Sequence, residues 1–192
     1  MSPEQNVEKV EGGPENQPVS QSSGQGSSLQ YFFSLIDARK PILVVGSGNG
    51  DLLEKIKNHG YQGVGLEEDA ALCKQSHDRG FDVIEGSIKN VASLKIPKDI
   101  SGVWAGVAFN HIDEVDLTHI LGIIHLILPD KAPFLLAVPR GEGVKTEATS
   151  DGKTLTTQFY TEEEFEKLLA EKNFKIGCKD FTPNLLTAVV TT

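Results

Sequence analysis

Short continuous apolar runs and helix-spaced apolar positions take turns along this chain. Pro41-Ile42-Leu43-Val44-Val45 is unbroken and rich in β-branched residues, the pattern of a strand buried on both faces of a parallel sheet. Leu52, Leu53 and Ile56 follow at helical spacing, and Gly60 is placed to end that helix. A second strand runs through Gly63-Val64-Gly65-Leu66 to Glu67. Further helices are predicted over about 70–79, 114–128 and 161–172, and further strands over about 82–85, 102–108, 133–138, 174–179 and 185–191. Thr161 and Glu164 make a capping box ahead of Phe165, Leu168 and Leu169. Strands alternating with helices imply an α/β fold with a parallel sheet covered on both faces. Upstream, Leu29, Phe32, Phe33 and Ile36 share one helical face. Residues 1–28 are dominated by Gln, Ser, Gly, Pro, Glu and Asn, with almost nothing to bury. A disordered polar tail over 1–28 and a single domain over 29–192 are expected.

The junction after the first strand carries the chemistry. Gly46-Ser47-Gly48-Asn49-Gly50 lets the chain turn sharply and brings backbone close to a ligand. The helix that follows points its first N–H groups at whatever lies above. Glu67 comes about 20 residues later, where a βαβ unit presents an acid to a ribose diol. The third glycine falls one residue early for the dinucleotide fingerprint, and Asp51 stands in its place. No Lys-Ser or Lys-Thr follows the glycines, so a phosphate loop is absent. An acid near the helix start repels a pyrophosphate. The expected ligand is a nucleoside without phosphates.

From the glycine turn onward the chain resembles the class I S-adenosylmethionine-dependent methyltransferases. Gly46 to Gly50 looks like that family's first motif, and Gly65-Leu66-Glu67-Glu68 its ribose-binding strand end. Phe81-Asp82-Val83-Ile84-Glu85-Gly86-Ser87-Ile88 is similar to the third strand and the turn beside the adenine. Gly102-Val103-Trp104-Ala105-Gly106-Val107-Ala108-Phe109-Asn110-His111 is similar to the fourth strand and its loop. Residues 128–139 resemble the turn and fifth strand, and Arg140-Gly141-Glu142-Gly143 its continuation. The ordered match covers residues 40–192. It implies a Rossmann-like, doubly wound, seven-stranded sheet, mostly parallel with an antiparallel last strand, because only Thr182-Pro183-Asn184 separates the final pair. It also implies S-adenosylmethionine as cofactor, S-adenosylhomocysteine as product, and contacts from Gly46, Ser47, Gly48, Asn49, Gly50, Glu67, Glu68, Gly86, Ser87, Ile88, Ala105 and Gly106. Three positions depart from the pattern. Val44 stands where an acid usually helps hold the methionine amino group, Ser87 replaces an acid near the adenine, and Ser101 replaces an aspartate that often begins the fourth strand.

A sulfonium methyl is already electrophilic, so the protein must hold an acceptor in line and exclude water, with a general base where the acceptor is protonated. His111, after the fourth strand at the ligand-binding edge, is the candidate base. Arg140 and Glu142 leave the fifth strand toward the same edge and are candidate substrate contacts. Phe109 is a candidate acceptor wall, and Tyr31 a candidate lid residue on the first helix. Tyr160 has the same option as Phe109, with a core role as its alternative; Trp104 is read as core.

Composition narrows the partners. A formal charge of −9 disfavours nucleic acid as methyl acceptor. Cys73 and Cys178 fit no metal or redox spacing; both are read as buried thiols in a reducing compartment, and no metal is expected. The N-terminus lacks the basic and apolar regions of a signal peptide. Ile120–Leu128, the most apolar segment, is interrupted by Gly122 and His125 and is too short to span a bilayer. A cytoplasmic enzyme methylating a small molecule, without membrane contact, is expected. The contrasting reading is a catalytically inactive methyltransferase-like module that acts through a protein partner. A nicotinamide dehydrogenase is a third reading, disfavoured by the glycine spacing.

Overall fold

β1 (Ile42–Val45) is buried along its whole length and pairs in parallel with β2 (Gly63–Glu67) on one side and β4 (Gly102–Ala105) on the other. In this computed structural model, which describes residues 26–148 and 154–192, the other strands extend the sheet outward in both directions. β3 (Val83–Glu85) flanks β2, and β5 (Phe134–Pro139) flanks β4, both parallel. β9 (Leu185–Thr191) then pairs antiparallel with β5 and with β8 (Lys175–Phe181). The seven-stranded order is β3-β2-β1-β4-β5-β9-β8. Thr182 closes the β8–β9 hairpin, its N–H donating to the Leu185 carbonyl at 2.9 Å. The doubly wound topology with one antiparallel strand is the one the sequence predicts.

Two apolar layers cover the sheet. On one face α1 (Gly26–Ser34), α2 (Asp51–Asn58) and α3 (Ala70–Asp78) bury Phe32, Phe33, Leu53, Ile56 and Cys73 against Val44, Trp104, Leu135 and Val189. On the other, α4 (Glu114–Ile127) and α5 (Glu162–Glu171) bury Leu117, Ile120, Leu121, Phe165 and Leu169 against Leu43, Val103, Phe134 and Leu136. The capping box at α5 forms as expected: Glu164 N–H donates to Thr161 Oγ1 at 3.2 Å, and Thr161 N–H to Glu164 Oε2 at 2.8 Å. Gly60 follows α2 with φ +85°, the left-handed geometry of a helix stop.

The sequence reading needs correction in several places. The strand expected over 102–108 stops at Ala105; Val107–Phe109 coils into a 3-10 turn over the sheet edge. A second 3-10 segment, Ile88–Ser93, was not anticipated. Nor was the hairpin of β6 (Val144–Ala148) and β7 (Thr154–Gln158). β6 is exposed throughout and its sequence lacks the apolar alternation that marks a half-buried strand. The first helix begins at Gly26, not Leu29, because the β8 carboxylate of Asp180 accepts from the Ser28 N–H at 2.7 Å and from the Ser27 hydroxyl. The rest of the expected polar tail, residues 1–25, lies outside the described residues.

Both cysteines are free thiols, but only Cys73 is buried; Cys178 is half-buried beside α1. Burial, and then the carboxylates of Glu85, Glu67 and Asp69, push the Cys73 thiol above its ordinary value. Since the thiolate is the nucleophile, iodoacetamide at mildly alkaline pH is expected to label Cys178 well before Cys73. Peptide mass mapping over a time course checks the order, and equal rates would contradict it.

Candidate functional site

The strand order reverses between β1 and β4, and at such a switch point the C-terminal strand ends open a crevice. The glycine turn borders it. Gly46 and Gly48 hold φ +65° and +59°, and nothing lies within 4 Å of where a Gly48 Cβ would stand. A Cβ on Gly46 would come within 2.7 Å of the Ala108 methyl, so this position admits no side chain.

Glu67, at the end of β2, reaches back to this turn. Its Oε2 accepts from the Gly48 N–H at 2.8 Å and its Oε1 from the Asp69 N–H at 3.0 Å. A carboxylate offers about four lone-pair directions, so each oxygen keeps capacity for a further donor such as a sugar hydroxyl. The acid thus locks the turn and remains available above it.

Two cavities of about 560 Å³ each flank the turn, and Gly46 borders both. The first is walled by Glu67, Glu68, Gly86, Ile88, Phe109 and His111, together with residues from the β6–β7 hairpin. His111 is exposed, and its Nδ1 lies 3.1 Å from Thr157 Oγ1, so the hairpin orients the ring. Asp113 caps α4, accepting from the Asp116 N–H at 2.7 Å, and Asp116 is paired with Lys89. The second cavity lies between α1, the turn and β4, bordered by Ser28, Leu29, Ser47, Gly48, Trp104 and Gly106.

Other residues named from the sequence take different places. Asn49 Oδ1 accepts from the Asp51 N–H at 3.2 Å, and the Asn49 carbonyl accepts from Arg79 at 2.6 Å. Arg79 also holds Asp51 and Glu54, neutralising the acids at the start of α2. A Cβ on Gly50 would lie 2.8 Å from the Phe81 ring, so this glycine seats α2 against α3. Ser87 accepts from the Lys89 N–H at 3.3 Å and caps the 3-10 segment. Ala105 is core. Tyr31 packs on Gly177 of β8 and borders neither cavity. Arg140 donates to the Thr182 carbonyl at 2.9 Å and to Glu162 at 2.6 Å, tying the β8–β9 turn to α5. Glu142 is exposed beyond both cavities. Tyr160 is buried with its hydroxyl unpartnered; desolvation, aided by Glu114 and Asp113, holds the phenol protonated.

The departures sort by position. Ser101 precedes β4 at the opposite end of the sheet, its hydroxyl donating to the Lys40 carbonyl at 3.1 Å, and so does not bear on the crevice. Val44 is fully buried among α1 and α2 side chains. Sequence reasoning missed Lys89, Asp113, Asp116 and the hairpin residues at the first cavity, and Lys55 and Asp180 at the second.

Fold and crevice together define a class: this is the class I S-adenosylmethionine-dependent methyltransferase fold. Within it, residues 27–95 match the family model described as methionine biosynthesis protein MetW. An S-adenosylmethionine-dependent methyltransferase from Methanosarcina mazei is similar in structure, with a TM-score of 0.70 at 14% identity over 83% of this chain and 94% of its own. Another, from Clostridium acetobutylicum, gives 0.67 at 14% identity over 85% and 88%. The glycopeptide N-methyltransferase MtfA, solved with S-adenosylmethionine, gives 0.68 at 12% identity over 93% and 100%. No curated protein matches the sequence.

Proposed function

We propose that this chain binds S-adenosylmethionine and transfers its methyl group to a small-molecule acceptor. The observation that carries the reading is the Glu67 carboxylate, bound to the Gly48 N–H yet still able to accept from a sugar diol at the mouth of the first cavity. One solved protein of the same fold, the glycopeptide N-methyltransferase MtfA, has been captured with S-adenosylmethionine, S-adenosylhomocysteine and sinefungin. The residues fit that group: an acid for the diol, open space at Gly48 for close backbone approach, and Ile88 and Phe109 as apolar walls for a base.

When bound, the cofactor supplies an activated methyl group. The chain supplies placement, shelter and proton removal. Ala108 and the 3-10 turn close over Gly46, and the β6–β7 hairpin walls the acceptor side from water. His111, its Nδ1 engaged by Thr157, offers Nε2 as base toward an acceptor proton. Glu67, Glu68, Asp113 and Asp116 outnumber Lys89 around this cavity, which favours a neutral or cationic acceptor over a phosphorylated one. No helix among the described residues is long and apolar enough to cross a membrane.

Incubating the protein with methyl-labelled S-adenosylmethionine and a cell extract, then separating products by size, tests the acceptor class. Label in the low-mass fraction is expected. Label confined to protein or nucleic acid would contradict the reading, and cofactor binding without any transfer would favour the inactive module.

A further inference from the structure

α4 carries apolar side chains on two opposite faces. Leu117, Ile120, Leu121 and Ile124 face the sheet and are buried. Directly opposite, Val115 and Leu126 stand 79% and 84% exposed, with His119 and Gly122 between them and half-buried Thr118 and Ile123 at the flanks. At 3.6 residues per turn, Val115, His119, Gly122 and Leu126 fall on one line along the helix. A helix that is apolar around its circumference is ordinarily covered on both sides. Among the described residues no element covers the outer side of this one.

The spacing of the stripe selects its occupant. Its residues lie four, three and four apart, so it reads the same from either end. Two copies packed antiparallel about a twofold axis therefore meet in register at every position. Val115 of each lies against Leu126 of the other, and His119 of each lies over Gly122 of the other. Gly122 has room for that ring, since nothing lies within 4 Å of where its Cβ would stand. A parallel pair would instead set His119 on His119 and Gly122 on Gly122, crowding beside a void. Antiparallel packing also opposes the helix dipoles favourably. It brings Glu114, exposed at the start of one helix, toward exposed Lys131 beyond the end of the other; neither makes an ion pair among the described residues. Asp130, the like charge at that end, is exposed to water.

We propose that the outer face of α4 is a self-association surface, on which a second copy of this chain packs its own α4 antiparallel. The 14-residue helix is about 21 Å long. One such helix pair buries less than the roughly 1,600 Å² of a standard stable interface, so the dimer is weak and forms and dissolves with concentration. The pairing holds whether or not the chain transfers methyl groups.

Sedimentation velocity on the full chain, from about 1 to about 500 μM, tests it. A reversible shift from monomer to dimer is expected across that range. Val115→Glu and Leu126→Lys each replace an exposed side chain, and each is expected to weaken association about 10-fold or more; circular dichroism checks that the fold is unchanged. The double variant sets opposite charges against each other at both ends of an antiparallel pair. It is expected to associate more tightly than either single variant, with the gain lost at high salt. A chain that stays monomeric throughout would overturn the proposal and leave the stripe to a different partner. Single variants that associate as well as the unaltered chain would move any dimer to another surface. A double variant weaker than both single variants would overturn the antiparallel register.

Discussion

His111→Ala is expected to lower methyl-transfer turnover by about 100-fold or more, the ordinary contribution of a placed general base, while S-adenosylhomocysteine affinity stays within about twofold. The ring sits on the loop after β4 at the wall of the first cavity, with Nδ1 3.1 Å from Thr157 Oγ1. Thr157→Val removes the orienting hydroxyl and keeps the base, so it should cost less than His111→Ala. Single-turnover rates with each variant separate the two effects. A near-normal rate for His111→Ala would return this residue to a purely structural role against the hairpin.

Glu67→Ala is expected to weaken S-adenosylhomocysteine by roughly 1–3 kcal/mol, or about 5- to 150-fold. Two losses combine. The sugar hydroxyls lose their acceptor, and the Gly48 and Asp69 N–H groups lose theirs, so the turn relaxes before any ligand arrives. Glu67→Gln retains an acceptor oxygen and should sit between the two. Titration calorimetry on the three proteins gives the order, and unchanged affinity for Glu67→Ala would remove this residue from the site. Comparing thermal midpoints separates loss of the turn from loss of ligand contact.

The frame was legible because its determinants are local. The apolar run of β1, the helical spacing after Gly50 and the Thr161–Glu164 box each act within a few residues, and the elements they predict are present. The glycine turn was legible for the same reason, and so was Glu67, since a βαβ unit fixes the distance from turn to acid. What escaped depends on contacts between segments far apart. Asp180 lies about 150 residues from the helix it anchors, and the only local trace is its period-two spacing from Cys178 on the apolar side of β8. The β6–β7 hairpin is polar on most positions, so nothing in its periodicity separates strand from loop. Arg140 and Tyr31 left the candidate site because tertiary partners claim them: the Thr182 carbonyl and Glu162 for one, Gly177 for the other. An arginine leaving a strand toward the ligand edge looks the same in sequence whether it meets substrate or a neighbouring turn.

The decisive measurement is a calorimetric titration of the intact chain with S-adenosylhomocysteine, run beside NADH. Saturable one-to-one binding of the first and none of the second is the predicted result. A flat trace with S-adenosylhomocysteine at millimolar concentration, or saturable NADH binding in its place, would contradict a phosphate-free adenosyl site at this glycine turn.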